Sequence, residues 1–412
     1  MDTSRMLHLK ELSTNQIFAL FSQSEKLKEI AVNFYDTMER ALVRSQVVDL
    51  VNHYDIGKVI DVFEIFGGYV NKSFGIYVEK DGERHEYFVR KYKKGITEKE
   101  IMLEHSMIEC AIANGLTIAA GLIHTKEGHT FVKMPEQLNG TSQDRYYAIY
   151  EYLSGEDKYT WVTPYLTDKE YASSAEVLAT FHNSTRNFDP KGLERVEPKI
   201  MEFLPTLKQT FRDYAEQDLT GNQFHDYFVK NLDDILKVID LTVESIPEEA
   251  INKMPMNPIH CDLHPGNFKY ENEQAVGIFD FDWAKIDLRL FDLGLGLVYF
   301  CSSWEPESDG VLRIDKCAVF LDAYQKKLQE LGGLPPLNET EIQCLPAMIQ
   351  AGNIYLINWA VAAYYPEILN LNVYEYTAYL SHQVKLMRYI EAHKAEIAEM
   401  ARSIAVTEKC PA

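Results

Sequence analysis

Residues 258–294, PIHCDLHPGNFKYENEQAVGIFDFDWAKIDLRLFDLG, form a β-rich island in the second part of a 412-residue chain, where the remaining sequence has mainly helical spacing. The first motif of the island is His260-x-Asp262, followed by Asn267. In loops that carry out phosphoryl transfer, an Asp at this spacing meets the hydroxyl that receives phosphate, and the Asn holds magnesium. We therefore take Asp262 as a candidate catalytic residue and Asn267 as a candidate metal ligand.

The second motif of the island is Asp280-Phe281-Asp282, in which Asp280 stands where the main magnesium ligand is expected. The runs FKYE and VGIFDF have the pattern of strands, and NEQA between them has that of a turn. A symmetric hairpin places Asn267 opposite Asp280, with the Cβ atoms about 4.5–5.5 Å apart. One Mg²⁺ ion can bridge an amide oxygen and a carboxylate at that separation, because magnesium prefers hard oxygen ligands.

The two motifs suggest separate roles for their polar residues. Phosphoryl transfer requires positioning, charge neutralisation and a group that orients the nucleophile. Asp262 fits the orienting role, and we assign His260 to the same catalytic loop as a brace of its backbone. A competing interpretation makes His260, Asp262 and His264 the ligands of a hydrolytic metal ion, since H-x-D-x-H is also a metal-binding pattern. That interpretation gives Asp280 no role.

The runs VIDVFEIF, SFGIYVEK and HEYFVRKY, between residues 59 and 92, predict an antiparallel meander. The turn between the first two contains Gly68, Asn71 and Ser73. Backbone N–H groups and a hydroxyl in such a turn can cover the phosphates of ATP. Neither GxxxxGK[ST] nor GxGxxG occurs in the chain, so P-loop and Rossmann folds lose their main support.

A cation that holds the nucleotide phosphates is expected on the third of these strands, and a Glu that pairs with it on the following helix. Neighbours on a strand point to opposite faces, so either Arg90 or Lys91 can face the nucleotide. Glu104 lies close to the apolar stripe of the helix, and we favour a pair of Arg90 with Glu104. The backbone from Glu151 to Leu153, at the end of the strand YYAIYEYL, is expected to meet adenine.

The composition narrows the class of protein. A net charge of −21 argues against a nucleic-acid-binding surface. The N-terminal stretch lacks the pattern of a signal peptide, and no apolar run is long enough to span a bilayer. We therefore expect a cytoplasmic protein without a membrane partner. The six cysteines include no CxxC pair, so neither a zinc site nor a disulfide framework is indicated.

The order of these motifs resembles that of the aminoglycoside phosphotransferase and choline kinase superfamily. HCDLHPGN, GIFDFD and FDLG match its catalytic pattern, and GGYVNKS, FVR, the helical Glu and YEYLSGED match its N-terminal lobe, over roughly residues 50–390. The resemblance implies phosphorylation with Mg-ATP, with Asp262 as the catalytic Asp and Asn267 and Asp280 as the metal ligands. Arg90 stands where many members have Lys, although both residues are cations.

The expected fold is α+β, with a two-lobed, protein-kinase-like architecture. We predict an N-terminal helical extension over residues 1–50 and an ATP-binding lobe over residues 51–155, built from an antiparallel sheet and one helix. A larger, mainly helical lobe that contains the catalytic hairpin and binds the substrate is predicted over residues 156–412.

The acceptor is predicted to be a small molecule. Only twelve positions separate Asp280 from Asp292, too few for the activation loop of a protein kinase, and Cys261 replaces the Arg of the protein-kinase motif H-R-D. Amino alcohols, amino acids, sugars and aminoglycosides are all acceptors that the resemblance implies. A nucleotide-binding pseudokinase is the alternative, and the intact Asp262 and Asn267 argue against it.

An excess of acidic residues suggests that this acceptor is cationic. Residues 151–412 contain 23 Lys and Arg against 41 Asp and Glu, a net charge of −18. Asp282 and Asp287 follow the hairpin, and Trp283 lies between them in sequence. Carboxylates and aromatic faces attract cations, whereas acidic groups that hold no cation repel the phosphates of ATP.

Overall fold

The computed structural model describes residues 43–65, 72–138, 141–367 and 372–404. Most of the predicted N-terminal extension lies outside the described residues, as do Gly68 and Asn71 of the predicted phosphate-covering turn. The chain divides into two compact units. The first unit comprises Met1–Ile96 and Gly121–Tyr152, and the second comprises Thr97–Ala120 and Leu153–Ala412.

The first unit contains a five-stranded antiparallel sheet. Its strands are β1 (Lys58–Ile65), β2 (Lys72–Lys80), β3 (Glu83–Lys91), β4 (Val132–Leu138) and β5 (Thr141–Glu151), in the order β1-β2-β3-β5-β4. Asp81 and Gly82 join β2 to β3, and both have positive φ, 54° and 80°. Tight two-residue hairpins favour this conformation because it matches the twist of the strands. The predicted antiparallel meander is confirmed.

One face of this sheet forms the core of the first unit. Phe74, Ile76 and Val78 alternate along β2, are at most 6% exposed, and belong to one hydrophobic cluster with Leu50 of helix α1, which is described over residues 43–51. Alternate side chains of a strand share a face, so a shift of one residue would turn this apolar set away from the core. The buried face therefore fixes the register of β2.

The opposite face of the sheet is aromatic. The ring of Phe63 in β1 lies against Gly75 of β2, where an added Cβ would come within 2.0 Å of the ring. The same ring contacts Tyr77, with 5.0 Å between centroids, and the edge of Tyr152, with 6.4 Å between centroids. Gly75 therefore leaves room for an aromatic side chain from the neighbouring strand.

The second unit is mainly helical. Its helices are α2 (Glu98–Ala113), α3 (Asp168–Ser184), α4 (Ile200–Ala215), α5 (Gln223–Glu244), α6 (Glu248–Ile251), α7 (Arg289–Cys301), α8 (Ile314–Leu331), α9 (Glu339–Glu367), α10 (Val373–Ala392) and α11 (Lys394–Ile404). Two antiparallel strand pairs accompany them, β6 (Met256–Ile259) with β9 (Lys285–Leu288) and β7 (Phe268–Glu271) with β8 (Gln274–Ile278). Helix α2, which the sequence analysis grouped with the sheet, belongs to this unit. The limits of the functional lobes stay a prediction.

Helix α7 runs through the core of the second unit, and all of its residues except Tyr299 are buried. At its start, Arg289 makes a two-pronged ion pair with Glu341 of α9, with Nε–Oε1 at 2.7 Å and Nη2–Oε2 at 2.6 Å. The planar guanidinium matches the carboxylate, which is the favourable geometry for a buried charge pair. Further along, the backbone of Gly294 approaches that of Met348 in α9. These two contacts fix α7 against α9.

The close approach at Gly294 predicts a destabilising substitution. A Cβ at this position would lie 2.8 Å from the Met348 carbonyl oxygen, which belongs to the backbone and cannot rotate away. Gly294→Ala should therefore lower the free energy of unfolding by about 1–3 kcal/mol, the usual cost of overpacking a core. Urea unfolding followed by circular dichroism would measure the change.

Gly296→Ala, two residues along the same helix, is the matched control. Its Cβ would meet only a Leu263 methyl carbon, at 3.5 Å, an ordinary van der Waals distance. Ala is favoured over Gly inside a helix by about 1 kcal/mol, so this variant should be neutral or more stable. Equal loss of stability in the two variants would contradict the packing described here.

Candidate active site

The candidate catalytic loop lies between β6 and β7. Pro265–Asn267 make one turn of 3₁₀ helix, which His264 caps by accepting the Gly266 N–H on its ring Nδ1 at 3.0 Å. The amide Nδ2 of Asn267 donates to the main-chain carbonyl of Asp262 at 2.8 Å. The loop thus folds back on itself and places Asn267 beside Asp262.

A fully buried carboxylate, that of Asp292 on α7, holds the backbone of this loop. Its oxygens accept hydrogen bonds from the N–H groups of His260 and Cys261, both at 2.8 Å, and from Nε2 of His182 at 3.0 Å. Burial disfavours the charged carboxylate, but the hydrogen bonds and neighbouring charges outweigh burial and hold the pKa of Asp292 below its ordinary value. Asp292 therefore stays ionised and keeps its role as an acceptor.

The carboxylate of Asp262 is 23% exposed and has two hydrogen-bond donors beside it. The Tyr299 hydroxyl donates to Oδ1 at 2.8 Å, and Nδ2 of Asn267 lies 3.5 Å from Oδ2. Burial and repulsion by Asp280 raise the pKa of Asp262 to about 6, in spite of these two donors. Asp280 therefore disfavours the ionised form of Asp262.

The hairpin after the loop differs from the symmetric one predicted. Its turn consists of two residues, Asn272 and Glu273, both with positive φ, 50° and 60°. A bulge in β8 then shifts the register by one residue, so that Phe268 pairs with Ile278. A bulge inserts one extra residue into one strand of a pair, and a pattern of alternating residues does not reveal its position.

The turn is centred one residue earlier than predicted, and the bulge offsets only half of the resulting shift in the residue that faces Asn267. Phe279 stands opposite Asn267 and donates its N–H to the Asn267 carbonyl at 3.1 Å. The prediction that Asn267 stands opposite Asp280 is therefore wrong by one residue. Asp280 follows the strand with a φ of +67°, and its charge acts on Asp262 from that position.

The atoms around Asp262 fit a divalent cation. The amide nitrogen of Asn267 is committed to the Asp262 carbonyl, so its amide oxygen is the atom that can coordinate a metal. Asp280 adds a carboxylate, and a cation beside Asp262 and Asp280 would offset the repulsion between them. Such hard oxygen ligands are those that magnesium prefers.

The alternative metal site at His260, Asp262 and His264 lacks suitable geometry. The His260 ring bonds to the Phe279 carbonyl through Nε2 at 3.1 Å, and Nε2 of His264 lies 3.9 Å from the Asp262 carboxylate. Across the described ranges of the chain, no group of three or more His, Cys, Asp or Glu side chains is placed to hold a metal ion. The ring of His260 instead links the loop to the hairpin.

In the first unit, the two candidate phosphate-binding cations lie on opposite faces of β3. Arg90 is 4% exposed and pairs in register with Ser73 of β2, so the two side chains share the aromatic face of the sheet. Lys91, on the other face, forms an ion pair with Glu136. Glu104 on α2 is 1% exposed, and its pairing with Arg90 stays a prediction.

The predicted adenine-binding backbone follows β5. The Glu151 N–H donates to the Gly121 carbonyl at 2.8 Å, so this N–H is already used within the sheet unit. Leu153 belongs to the second unit, where its side chain lies next to Gly277 of β8. Contact between this backbone and adenine stays a prediction.

Asp287 does not fit its predicted role in binding the substrate. It is 1% exposed, and one carboxylate oxygen accepts the Ile200 N–H at the start of α4 at 2.7 Å. The other oxygen accepts the Leu288 N–H at 2.8 Å. The expectation for Asp287 is therefore wrong, because this carboxylate is used within the protein to cap a helix.

Asp282 and Trp283, the other two residues predicted to bind the substrate, are also partly enclosed. The Trp283 ring lies under the guanidinium of Arg195, 5.2 Å from the ring centroid, and Asp282 is 7% exposed. Arg195 therefore covers one face of Trp283. Their contact with a substrate stays a prediction.

Three residues that shape the site were not assigned from the sequence: His182, Asp292 and Tyr299. His182 ends the run VLATFH, and Asp292 stands in the quoted run FDLG, so a signal existed for both. No sequence pattern singles out Tyr299, because a Tyr within an apolar helix is most often part of the core.

The family model described as "Phosphotransferase enzyme family" (APH) matches residues 67–329. The chain belongs to this family. A homoserine kinase of Agrobacterium fabrum (strain C58) is 22% identical over 307 residues, which cover 74% of this chain and 81% of that protein. The sequence-based predictions of the family and of a small-molecule kinase are confirmed.

Two solved structures share the fold of this phosphotransferase. An amicoumacin kinase, hAmiN, in complex with AMP-PNP, Ca²⁺ and Ami, has a TM-score of 0.58 at 15% identity and covers 89% of this chain and 96% of its own. A spectinomycin phosphotransferase, APH(9)-Ia, in complex with ADP and spectinomycin, has a TM-score of 0.56 at 18% identity, with coverages of 84% and 98%. The predicted kinase-like α+β fold is confirmed.

Within the described residues, the phosphotransferase has no helix that is both long enough and apolar enough to cross a membrane.

The buried carboxylate of Asp292 predicts a stability change. In Asp292→Asn the amide NH₂ would replace an acceptor oxygen, leaving a buried N–H of the loop unpaired at a cost of about 1–3 kcal/mol. The pKa of Asp292 is lowered in the fold, so its contribution is present above about pH 4 and lost as the pH falls further. Urea unfolding at pH 7, compared with pH 3.5, would measure both effects.

Asp315→Asn is the control for this substitution, because the Asp315 side chain is 72% exposed beside Lys316. It should change the free energy of unfolding by less than about 0.5 kcal/mol. If Asp292→Asn and Asp315→Asn unfold at the same urea concentration at pH 7, Asp292 does not hold the loop.

Proposed function

We propose that this phosphotransferase uses ATP and Mg²⁺ to phosphorylate a hydroxyl group of a small, amine-bearing molecule. The observation that carries the proposal is a loop held by Asp292 that places Asn267 beside Asp262, with the strand that leads to Asp280 bonded to Asn267 through Phe279. Magnesium at such a site neutralises phosphate charge and fixes the phosphates of the nucleotide. Asn267 and Asp280 would hold it.

Nucleotide binding is assigned to the aromatic face of the first unit. Arg90 and Ser73 are partners in register there, so the guanidinium and the hydroxyl can contact the same phosphate groups. The solved structures of the spectinomycin phosphotransferase and the amicoumacin kinase contain ADP and AMP-PNP, which supports a nucleotide in this chain as well.

We assign to Asp262 the role of binding the acceptor hydroxyl. Its carboxylate accepts a hydrogen bond from that hydroxyl and directs a lone pair of the oxygen at the γ-phosphorus. The new O–P bond forms as the bond from the γ-phosphorus to the leaving oxygen of ADP breaks, and the hydroxyl proton passes to Asp262. The partial exposure of this carboxylate leaves room for the acceptor.

The amine on the acceptor is inferred from charge, from aromatic residues and from the relatives. Residues 151–412 carry a net charge of −18. Beyond the end of α7, Trp304, Trp161, Trp359 and Tyr379 form one cluster, with Trp161 centred 5.2 Å from Trp304 and 4.5 Å from Tyr379. Ring faces bind cations with about 0.5–2 kcal/mol. The curated relative from Agrobacterium fabrum is a homoserine kinase, and homoserine carries both an amine and a hydroxyl.

Two isosteric substitutions should separate transfer from binding. Asp262→Asn should lower kcat for phosphorylation by about 10²–10⁴-fold while Mg-ATP affinity stays near wild type, because only the acceptor hydroxyl loses its partner. Asp280→Asn should weaken Mg-dependent ATP binding by about tenfold or more, since it removes a charged ligand. Isothermal titration with Mg-AMP-PNP and a coupled ADP-release assay would measure these effects.

Glu271→Gln, an exposed carboxylate of the same hairpin, is the control and should behave as wild type. Near-normal turnover in Asp262→Asn would remove Asp262 from the chemistry. Normal Mg-AMP-PNP binding in Asp280→Asn would remove Asp280 from the metal site.

A panel of acceptors tests the substrate class. L-homoserine, ethanolamine, choline and spectinomycin would be compared with the neutral polyols erythritol and glucose, each at low and high ionic strength. We expect the amines to be preferred, with KM values that rise with salt because screening weakens their attraction to carboxylates. Preference for a neutral polyol without a salt effect would reject the amine while leaving the kinase assignment intact.

A further inference from the structure

Helix α7 presents two polar side chains to the catalytic loop. Asp292 and Tyr299 are seven residues apart, so they lie on the same side of the helix, about 10 Å apart along its axis. Asp292 holds the main-chain N–H groups of His260 and Cys261. Tyr299 holds the side chain of the next residue, Asp262. One rigid helix therefore fixes both the backbone and the carboxylate of the loop.

The contact of Tyr299 with Asp262 is short and well defined. The hydroxyl donates to Oδ1 at 2.8 Å, whereas Nδ2 of Asn267 lies 3.5 Å and Nε2 of His264 lies 3.9 Å from Oδ2. Among the described residues, Tyr299 makes the one side-chain hydrogen bond to this carboxylate that is shorter than 3 Å. The orientation of the carboxylate thus depends chiefly on Tyr299.

The Tyr299 hydroxyl acts as a donor in this pair. Burial and the negative charge of Asp262 raise the pKa of Tyr299 well above its ordinary value, so the hydroxyl stays protonated at neutral pH. The terminal torsion of an Asp side chain is broad, and the carboxylate can otherwise rotate about its Cβ–Cγ bond. A fixed donor on one oxygen limits that rotation.

We propose that Tyr299 is a positioning residue for phosphoryl transfer, whose hydroxyl orients the Asp262 carboxylate towards the hydroxyl of the acceptor. This inference rests on the proposed function, because it requires Asp262 to receive that hydroxyl. Each carboxylate oxygen accepts two hydrogen bonds, so Tyr299 leaves acceptor capacity on Asp262 for the substrate. The His264 ring packs beside Tyr299 with 5.3 Å between centroids and keeps the phenol in place.

Tyr299→Phe is the decisive variant, because it removes one oxygen atom and keeps the ring. We expect kcat for phosphorylation of the best acceptor in the panel to fall about 10- to 100-fold, the effect of losing a hydrogen bond to a charged group. The KM values for Mg-ATP and for the acceptor should change less than about twofold, since neither ligand loses a contact of its own.

The ratio of phosphorylated acceptor to ADP released is the second readout. ATP hydrolysis, in which water takes the place of the acceptor, also releases ADP. A carboxylate that rotates freely orients the acceptor poorly, whereas attack by small, mobile water molecules depends less on that orientation. The ratio of phosphorylated acceptor to ADP should therefore fall in Tyr299→Phe. This ratio does not depend on the fraction of folded enzyme. A purely structural defect would lower transfer and ATP hydrolysis in proportion and leave the ratio unchanged.

Tyr364→Phe is the matched control, since Tyr364 is a buried tyrosine whose hydroxyl bonds to the Asn222 side chain at 3.0 Å. It should retain the kcat and the product ratio of wild type. An unchanged kcat in Tyr299→Phe, or a lower kcat with an unchanged product ratio, would overturn the role of Tyr299. If wild type itself phosphorylates no acceptor in the panel, the proposed function fails instead.

Discussion

The candidate catalytic loop depends on one interaction, the hydrogen bonding of its backbone to the buried carboxylate of Asp292. Removing a carboxylate from water costs several kcal/mol unless hydrogen bonds replace its hydration. His182 supplies one of these hydrogen bonds, and the main chain at His260 and Cys261 supplies the others. The same contacts therefore compensate the buried charge and shape the loop. Helix α7 can carry this charge because the Arg289–Glu341 ion pair anchors its first turn.

The charges of Asp280 and Arg90 determine which ligand groups each unit can bind. The charge of Asp280 raises the pKa of Asp262, and a cation beside Asp262 would offset that repulsion. The sheet unit carries a positive charge on its aromatic face, where the Arg90 side chain is enclosed. An enclosed guanidinium on that face suits the negative phosphates of a nucleotide.

The sequence revealed features that depend on local spacing and left out those that depend on distant contacts. The meander and the His-x-Asp-x4-Asn loop follow from short patterns, and both could be predicted. The turn of the hairpin lies one position before the predicted centre, and the bulge in β8 offsets only half of the resulting shift, so the facing residue of Asn267 was wrong by one position. Tyr299 lies 37 residues after Asp262, and only the packing of α7 brings them together. Asp287 looked available because its partner, the Ile200 N–H, is 87 residues away.

The conformation of Cys261 limits which residues can occupy this position of the loop. Its φ of +61° is left-handed, a strain of about 1–2 kcal/mol for a residue with a side chain, and the hydrogen bond from its N–H to Asp292 helps to hold it. Asp292 holds the main chain there, whereas the Cys261 side chain is 1% exposed and packed inside the protein. A replacement at position 261 must therefore meet two requirements at once, a backbone at positive φ and a side chain small enough for the core.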